Sequence, residues 1–392
     1  MFKQPPATSH SPSEQTAHVK GSAFSGRVAL QQRVLPSYRV PFFDALAAAC
    51  LGGLSVLSGQ PCADESITTG NLQIAQQIRV RNRHLFTPAS PLYLCWQAGL
   101  IRRLEAWQPE VLIVEANPRY CSTPAAVKWM RVRHRPVVGW GLGAPQPVGF
   151  LASRRLQGRI RFLSSFDALI AYSQRGAYEY QDLGFPAERV FVATNAVTPR
   201  PTSPPPTRLP SFTGRPNVLF VGRLQTRKRI DHLLQACAAL PEGIQPCLTI
   251  VGDGPARQEL QTLAQSVYPQ AEFPGERSGA ELESYFASAD LFVLPGTGGL
   301  AVQQAMAHGL PVIVAEGDGT QNDLVRPGNG WRIPAGDLTA LTETIGSALS
   351  DAPRLRRLGT ESYRIVAEEI NLENMVSVFI EVVQAVSSKL VK

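Results

Sequence analysis

The sequence predicts an α/β protein of two doubly wound domains, each a parallel sheet wrapped by helices, facing one another across a cleft. Three observations carry this. The chain has 392 residues, roughly two to three times an ordinary domain. On both sides of a Pro-rich stretch, short runs rich in Val, Ile and Leu alternate with longer segments of helical spacing, the pattern of buried parallel strands and their crossover helices. That stretch, TPRPTSPPPTRLPSFTGRP between Val197 and Asn217, admits neither a helix nor a central strand, because proline removes backbone donors and favours extended conformations.

Taken in order, residues 1–26 read as a solvated, disordered tail whose composition lacks the apolar stretch of a secretory signal. A first domain over 27–197 is expected to carry strands at Arg27–Gln32, Leu54–Ser58, Val111–Glu115, Pro136–Trp140, Ala168–Tyr172 and Val190–Thr194. Its helices are expected at Pro41–Cys50, Tyr93–Trp107, Pro124–Arg133, Arg154–Ser165 and Arg175–Leu183. Residues 198–216 form the linker. In the second domain, 217–372, strands are expected at Val218–Val221, Cys247–Val251, Leu291–Leu294, Pro311–Val314 and Gly330–Ile333, separated by helices such as Arg229–Leu240, Ala256–Ala264, Ala280–Ala287 and Leu300–Ala307. After Pro353 the pattern is helical, and residues 373–392 are expected to form a last helix crossing back to the first domain. The longest apolar stretch, Phe42–Leu57, contains Asp44 and is too short for a membrane span.

Hydrophobic residues make up 44% and charged residues 18%, with 32 Gly and 32 Pro, a balance that excludes disordered, collagenous and coiled-coil chains. Six scattered cysteines without a C-x-x-C pair argue against a zinc module or a disulfide framework and fit a reducing cytosol. The histidines show no H-E-x-x-H or other paired spacing, so no catalytic metal is expected. Without a G-x-S-x-G elbow, a hydrolase reading has no nucleophile.

The net charge of +7 conceals a division. Residues 1–200 carry 22 Lys and Arg against 11 Asp and Glu, whereas residues 201–392 carry 16 against 20. The basic half is suited to nucleic acid, an anionic membrane surface or a phosphorylated substrate. Nucleic acid fits least, since no reader motif is present. The segment GFLASRRLQGRIRFLSSF from Gly149 interleaves Arg154, Arg155, Arg159 and Arg161 with apolar residues. It is compatible with a helix lying on anionic lipid or with one that buries a single face in the core.

Three constellations could carry chemistry. In FVGRLQTRKRIDHLL, a strand ends at Gly222, and Arg223 and Lys228 follow at its carboxyl end, where open α/β sheets bind ligands. Two cations there suit a diphosphate, although Arg227 and Arg229 also allow a merely solvated basic loop. In LPGTGGLAVQQAMAHGLPVIV, Gly296, Gly298 and Gly299 let the backbone approach a ligand, and the N–H groups of Leu300 and Ala301 would meet an anion. Gln304, one turn on, could bond a ribose hydroxyl; the plain alternative is an ordinary tight turn. The loop matches neither a Walker nor a dinucleotide motif. In IVGDGPARQEL, Asp253 could cap the next helix or touch substrate. Glu115 closes an apolar run, where a carboxylate is costly unless paired.

In this order, GRL, Lys228 before IDHLL, IVGDGP, AEFPG, SADLFVLP, the glycine-rich loop with QAMAHGLPVIV, and NGWRIPAGD resemble the retaining, family-4-type nucleotide-sugar glycosyltransferases of group 1. The resemblance is strong over Asn217 to Pro353. It continues more weakly through the first half, where ALIAYSQRGAYEYQDLGFPAERVFVATNAV looks like the family's last amino-domain segment. It implies the GT-B fold, with the donor in the second domain, the acceptor in the first, and no metal. Arg223 and Lys228 would neutralise the donor diphosphate and stabilise the leaving group. Gly222, Thr297, Gly298, Gly299, Leu300, Ala301 and Gln304 would contact the donor, and Pro274 and Gly275 would hold its base.

Departures accompany the resemblance. The family's two glutamates in this loop and helix align with Gly296 and Gln304, and its histidine after the VVGWGLG strand has no counterpart. The P-x-Y-R-x-P-F-F run and Glu115-Ala116-Asn117-Pro118-Arg119 are similar to a bacterial subgroup, which places Tyr38, Arg39, Glu115, Asn117 and Arg119 on the acceptor side. For Arg39 and Arg119 an interdomain or surface salt bridge is the alternative. The expected function is sugar transfer from a nucleotide-diphosphate donor to a glycan or lipid-linked acceptor, in the cytoplasm or at the inner face of the membrane. The rival is a GT-B pseudoenzyme that binds a nucleotide sugar without turnover.

Overall fold

The computed structural model describes residues 23–62, 65, 67–88, 90–317 and 319–388. The first sheet has seven strands: β1 (Val28–Val34), β2 (Leu54–Gly59), β3 (Gln76–Arg79), β6 (Val111–Glu115), β7 (Val137–Gly141), β8 (Ala168–Ala171) and β9 (Val190–Val192). They lie in the order β3-β2-β1-β6-β7-β8-β9, all parallel, while β4 (Arg81–Leu85) and β5 (Leu94–Ala98) form a separate antiparallel pair. The second sheet, also parallel, contains β10 (Asn217–Val221), β11 (Cys247–Val251), β12 (Glu272–Gly275), β13 (Leu291–Leu294), β14 (Val312–Ala315) and β15 (Gly330–Ile333), in the order β12-β11-β10-β13-β14-β15. Inner strands such as β6, β13 and β14 are apolar runs buried on both faces, as helices on either side of a parallel sheet demand, whereas β1 and β2 also bury Gln31, Gln32, Ser55 and Ser58.

In each sheet the order reverses at one place, between β1 and β6 and between β10 and β13. Connections from such strands leave in opposite directions and open a crevice at the carboxyl ends. The four loops bordering these two crevices hold the candidate residues: Tyr38 and Arg39 follow β1, Asn117 and Arg119 follow β6, Arg223 and Lys228 follow β10, and the glycine-rich loop follows β13.

Several expectations are corrected. The helix expected over Tyr93–Trp107 is a strand and a helix: residues 94–98 alternate between buried and more exposed and pair with β4, Gly99 turns at φ 82°, and the helix spans Leu100–Trp107. The apolar residues of this stretch suit either period, so periodicity alone misassigns it. Strands β3 and β12 have no apolar run; they are sheet edges, and Pro274 in β12 is tolerated because an edge strand needs fewer donors. The tail expected over 1–26 lies outside the described residues as far as residue 22. Its end is packed: Phe24 is buried, and its N–H bonds to the Ala49 carbonyl at 3.0 Å.

The Pro-rich stretch runs over the second domain, held by Arg208. Its guanidinium donates to the carbonyls of Ala289 and His308 at 2.8 Å and of Phe286 at 2.9 Å. The chain's last described helix, Leu372–Ser388, belongs to the core of the first domain. Phe379 meets Phe42 edge-on at 4.9 Å and Trp140 at 5.0 Å between ring centres.

Candidate active site

The second-domain side is built on close backbone approach. Gly222 N–H bonds to Val251 O at 3.0 Å and Gly252 N–H to Gly275 O at 2.9 Å, so three glycines line up across the ends of β10, β11 and β12. A Cβ on Gly252, at φ 138°, would stand 2.0 Å from the Gly222 oxygen, which leaves glycine as the residue that fits. The Gly222 loop, Arg223 and Gly252–Gly254 face Pro36, Ser37, Tyr38 and Thr68 of the first domain across a cavity of about 680 Å³. Glu276 and Arg277 also line this cavity. Pro274 and Gly275, expected to hold a base, stand just behind them in β12.

Lys228 sits in a one-turn 3-10 segment, Thr226–Lys228, with 6% of its surface exposed. Its ammonium donates to the carbonyl oxygens of Thr297, at 2.9 Å, and Gly298. Burial, with Arg227 nearby, brings it down to about 8. The cation therefore stitches the loop after β10 to the glycine-rich loop after β13. Thr297 N–H completes the seam by bonding to Arg227 O at 3.2 Å. Gly296 lies beneath it, where a Cβ would come within 2.3 Å of the Arg227 oxygen. A side chain at 296 and this seam exclude each other.

Gly298, at φ 63°, Gly299 and Leu300 lead into the helix Ala301–Ala307, whose Gln304 is half-buried. Gly298, Gly299 and Leu300 line a chamber of about 150 Å³ together with Asn195 and Val197 of the first domain.

On the first-domain side, Arg39 is 4% exposed and surrounded by the rings of Trp140, Tyr172 and Tyr38, whose centres lie 4.8, 5.3 and 5.5 Å from its guanidinium carbon. Among the described residues it forms neither of the salt bridges weighed for it. A cation among π faces is held electrostatically, although its Nη1 has no hydrogen-bond partner among the described residues. Glu115 ends β6 and accepts the Arg33 N–H at 2.6 Å. It lines both a cavity of about 650 Å³, with Asn117, Arg119, Arg159 and Arg175, and a smaller one of about 190 Å³ with Tyr38 and Arg39. Burial pushes its carboxyl up to about 7, opposed by the Arg33 bond and the charges of Arg33 and Arg39. Asn117 accepts the Arg119 N–H at 3.1 Å, which shapes the loop after β6.

The structure thus brings Tyr38, Arg223 and Gly222 to one cavity, Tyr38, Arg39 and Glu115 to a second, and Glu115, Asn117 and Arg119 to a third. Lys228 lies with Thr297 and Gly298. Sequence reasoning missed Arg33 and Glu65, joined by two bonds of 2.7 Å, and Trp140 and Tyr172 as walls around Arg39. The domains also touch where Asp323 accepts the Gln174 N–H at 2.9 Å.

Residues 206–365 match the family described as "Glycosyl transferases group 1". A GDP-mannose-dependent alpha-mannosyltransferase of Mycolicibacterium smegmatis is 47% identical over 117 residues, 29% of this chain and 29% of that one. The putative colanic acid biosynthesis glycosyltransferase WcaL of Escherichia coli is 28% identical over 198 residues, 46% of this chain and 47% of its own. The chain therefore spans less than half the length of these two relatives. The crystal structure of Anabaena Alr3699/HepE in complex with UDP shares the fold, with a TM-score of 0.65 at 16% identity over 93% of this chain and 99% of that one. With its two-sheet architecture shared almost from end to end, the chain has the GT-B fold, and its second domain matches the glycosyl transferases group 1 family.

Proposed function

We propose that the protein transfers a sugar, with retention, from a nucleotide-diphosphate donor to a glycan or lipid-linked acceptor in polysaccharide or glycoconjugate biosynthesis. The observation that carries this is the cavity in which Arg223 and the close-packed Gly222 and Gly252 face Tyr38 of the other domain. A diphosphate laid against bare backbone at strand ends meets Arg223 at once, and Lys228 through the seam. Both cations oppose the charge that grows on the leaving nucleotide. Glu115, Asn117 and Arg119 would receive the acceptor, and domain closure would exclude water from the reacting centre. The names of the mannosyltransferase and of WcaL support transfer chemistry of this class.

Thermal-shift titration with UDP, GDP, ADP and their sugars, followed by an assay for sugar release, tests it. Stabilisation by one nucleotide with slow donor hydrolysis is expected, since binding raises the melting temperature by mass action. No shift with any nucleotide sinks the reading. A pseudoenzyme is the second reading, favoured by Gly296, whose packing leaves no room for the family's glutamate; nucleotide binding without hydrolysis or transfer would support it.

The acceptor is proposed to be met at an anionic membrane surface. Residues 116–166 hold nine Lys and Arg and neither Asp nor Glu. The helix Ala152–Leu163 buries only Leu163 and exposes Arg154, Arg155 and Arg161, beside a loop in which Val148 and Phe150 stand fully in solvent. Among the described residues no helix is long and apolar enough to cross a membrane. Flotation with phosphatidylglycerol vesicles but not phosphatidylcholine vesicles is expected, and equal behaviour with both would refute it.

A further inference from the structure

The chain passes between the domains twice, after β9 near Val197 and Thr198, and again at Ile370–Leu372, where the last helix turns back to the first domain. The two crossings touch: Leu372 N–H bonds to Thr198 O at 3.1 Å. One side chain holds both. The Oε1 of Gln303, 2% exposed, accepts the N–H of Val197 at 2.7 Å and of Thr198 at 3.0 Å, and its Nε2 donates to Ile370 O at 2.8 Å.

Gln303 sits in the helix Ala301–Ala307, directly after the glycine-rich loop, and lines the same chamber as Gly298, Gly299 and Leu300. A buried amide of this kind is not needed for packing, since methionine fills a similar volume. What the amide adds is a fixed distance between the helix and both crossings. Breaking its bonds leaves buried groups unsatisfied, which is costly. A hinge movement therefore carries the helix with it, and a shift of the helix turns the hinge. The segment before the second crossing has the form such a joint needs. A π-helical turn, Ile365–Glu369, is followed by the fully buried Asn371, which donates to Val366 O at 2.9 Å and accepts the Asn374 N–H at 2.9 Å. Single π-turns inside helices are frequent at functional sites.

We infer that Gln303 is a positioning residue that pins the interdomain hinge to the donor loop, so that occupancy of the Gly298–Leu300 loop sets the angle between the domains. The donor part of this inference rests on the function proposed above; the pin itself does not. Gln303 touches no reacting atom, and its effect on transfer comes through the angle at which the first domain meets the bound donor.

The test uses the full chain with Gln303→Met and Gln303→Glu. Hydrogen exchange on the ligand-free protein reads the pin. In Gln303→Met the amides of Val197 and Thr198 are expected to exchange at least about tenfold faster than in wild type, while amides of the two sheets keep their protection. In Gln303→Glu, which retains an acceptor oxygen but loses the donor to Ile370, those two amides are expected to stay protected. Wild-type exchange in Gln303→Met overturns the pin. Should Gln303→Met fail to fold, exposure of Val197 and Thr198 in a folded Gln303→Glu variant would overturn it instead.

Coupling is read with the nucleotide that stabilises wild type, by small-angle scattering and kinetics. Wild type is expected to become more compact on binding. Gln303→Met is expected to bind within roughly threefold of the same affinity without compaction, its kcat down about tenfold and its donor KM nearly unchanged. Compaction equal to wild type, or a loss confined to KM, overturns the coupling. If no nucleotide shifts the melting of wild type, the proposed function and the coupling both fail, while the exchange result still decides whether Gln303 pins the hinge.

Discussion

The carboxylate of Glu115 takes the main-chain N–H of Arg33, while the guanidinium of the same Arg33 turns away to grip Glu65. Glu115 is thus held by a neutral donor in a basic neighbourhood, facing cavities on two sides.

Its titration should be visible in stability. Burial raises this carboxyl to about 7, whereas the unfolded chain ionises it near about 4.3. The folded state keeps the proton longer, so the stabilisation is complete below the unfolded value and is lost as pH rises through about 7. Glu115→Gln cannot ionise and keeps an oxygen for Arg33. It is expected to remove that loss and to exceed wild type by on the order of 1–3 kcal/mol near pH 8. Urea titrations between about pH 4 and pH 8 read the slope, and identical slopes in both proteins would refute the assignment.

Arg223 and Lys228 should separate in what their loss does. Arg223→Ala is expected to lower kcat/KM by at least about a hundredfold with melting unchanged. Lys228→Ala is expected to reduce turnover as much and also to loosen the seam with Thr297 and Gly298, lowering stability by about 1–3 kcal/mol. Because burial depresses the Lys228 ammonium to about 8, donor affinity is expected to fall as pH rises past that value. Wild-type turnover in both variants would refute both roles.

Replacing the two residues that stand where the family has glutamates should give opposite results. At Gly296 a Cβ would press on the Arg227 carbonyl, so Gly296→Glu is expected to cost about 2–4 kcal/mol by forcing the seam apart. Gln304 is half-buried, and Gln304→Glu is expected to change stability by less than about 0.5 kcal/mol. Denaturant melts compare them; a stable Gly296→Glu would show that the seam yields easily.

Phe379→Ala removes the ring that fills the space between Phe42 and Trp140. A loss of about 3–5 kcal/mol is expected. The damage should appear as lost exchange protection in β7 and β8, with β10 and β13 unaffected.

The second domain was largely legible because its inner strands are uninterrupted apolar runs such as Leu291–Leu294 and its loops carry glycines at fixed offsets. Arg223, Tyr38 and Glu115 could be singled out because each stands at the end of a strand or in a local motif. What stayed hidden depends on contacts distant in sequence. The family pattern singles out Gln304 and gives Gln303 no role, yet Gln303 is the one sealed beneath the hinge while Gln304 is only half-buried. Arg39 read equally well as a salt-bridge partner because the rings around it come from β7, the end of β8 and its neighbour Tyr38. Leu94–Ala98 went wrong because its strand character is set by a partner, Arg81–Leu85, that has no strand signal of its own.

The helix Leu372–Ser388 also fixes the order in which the molecule can be completed. Trp140 and Phe42 leave the ribosome early, but the ring that covers them, Phe379, emerges only after the whole second domain has been made. The first domain therefore waits, with an apolar face uncovered, while its neighbour folds, a stage at which nascent chains are open to chaperones and to aggregation. Of the two domains, the one made first is finished after the one made second.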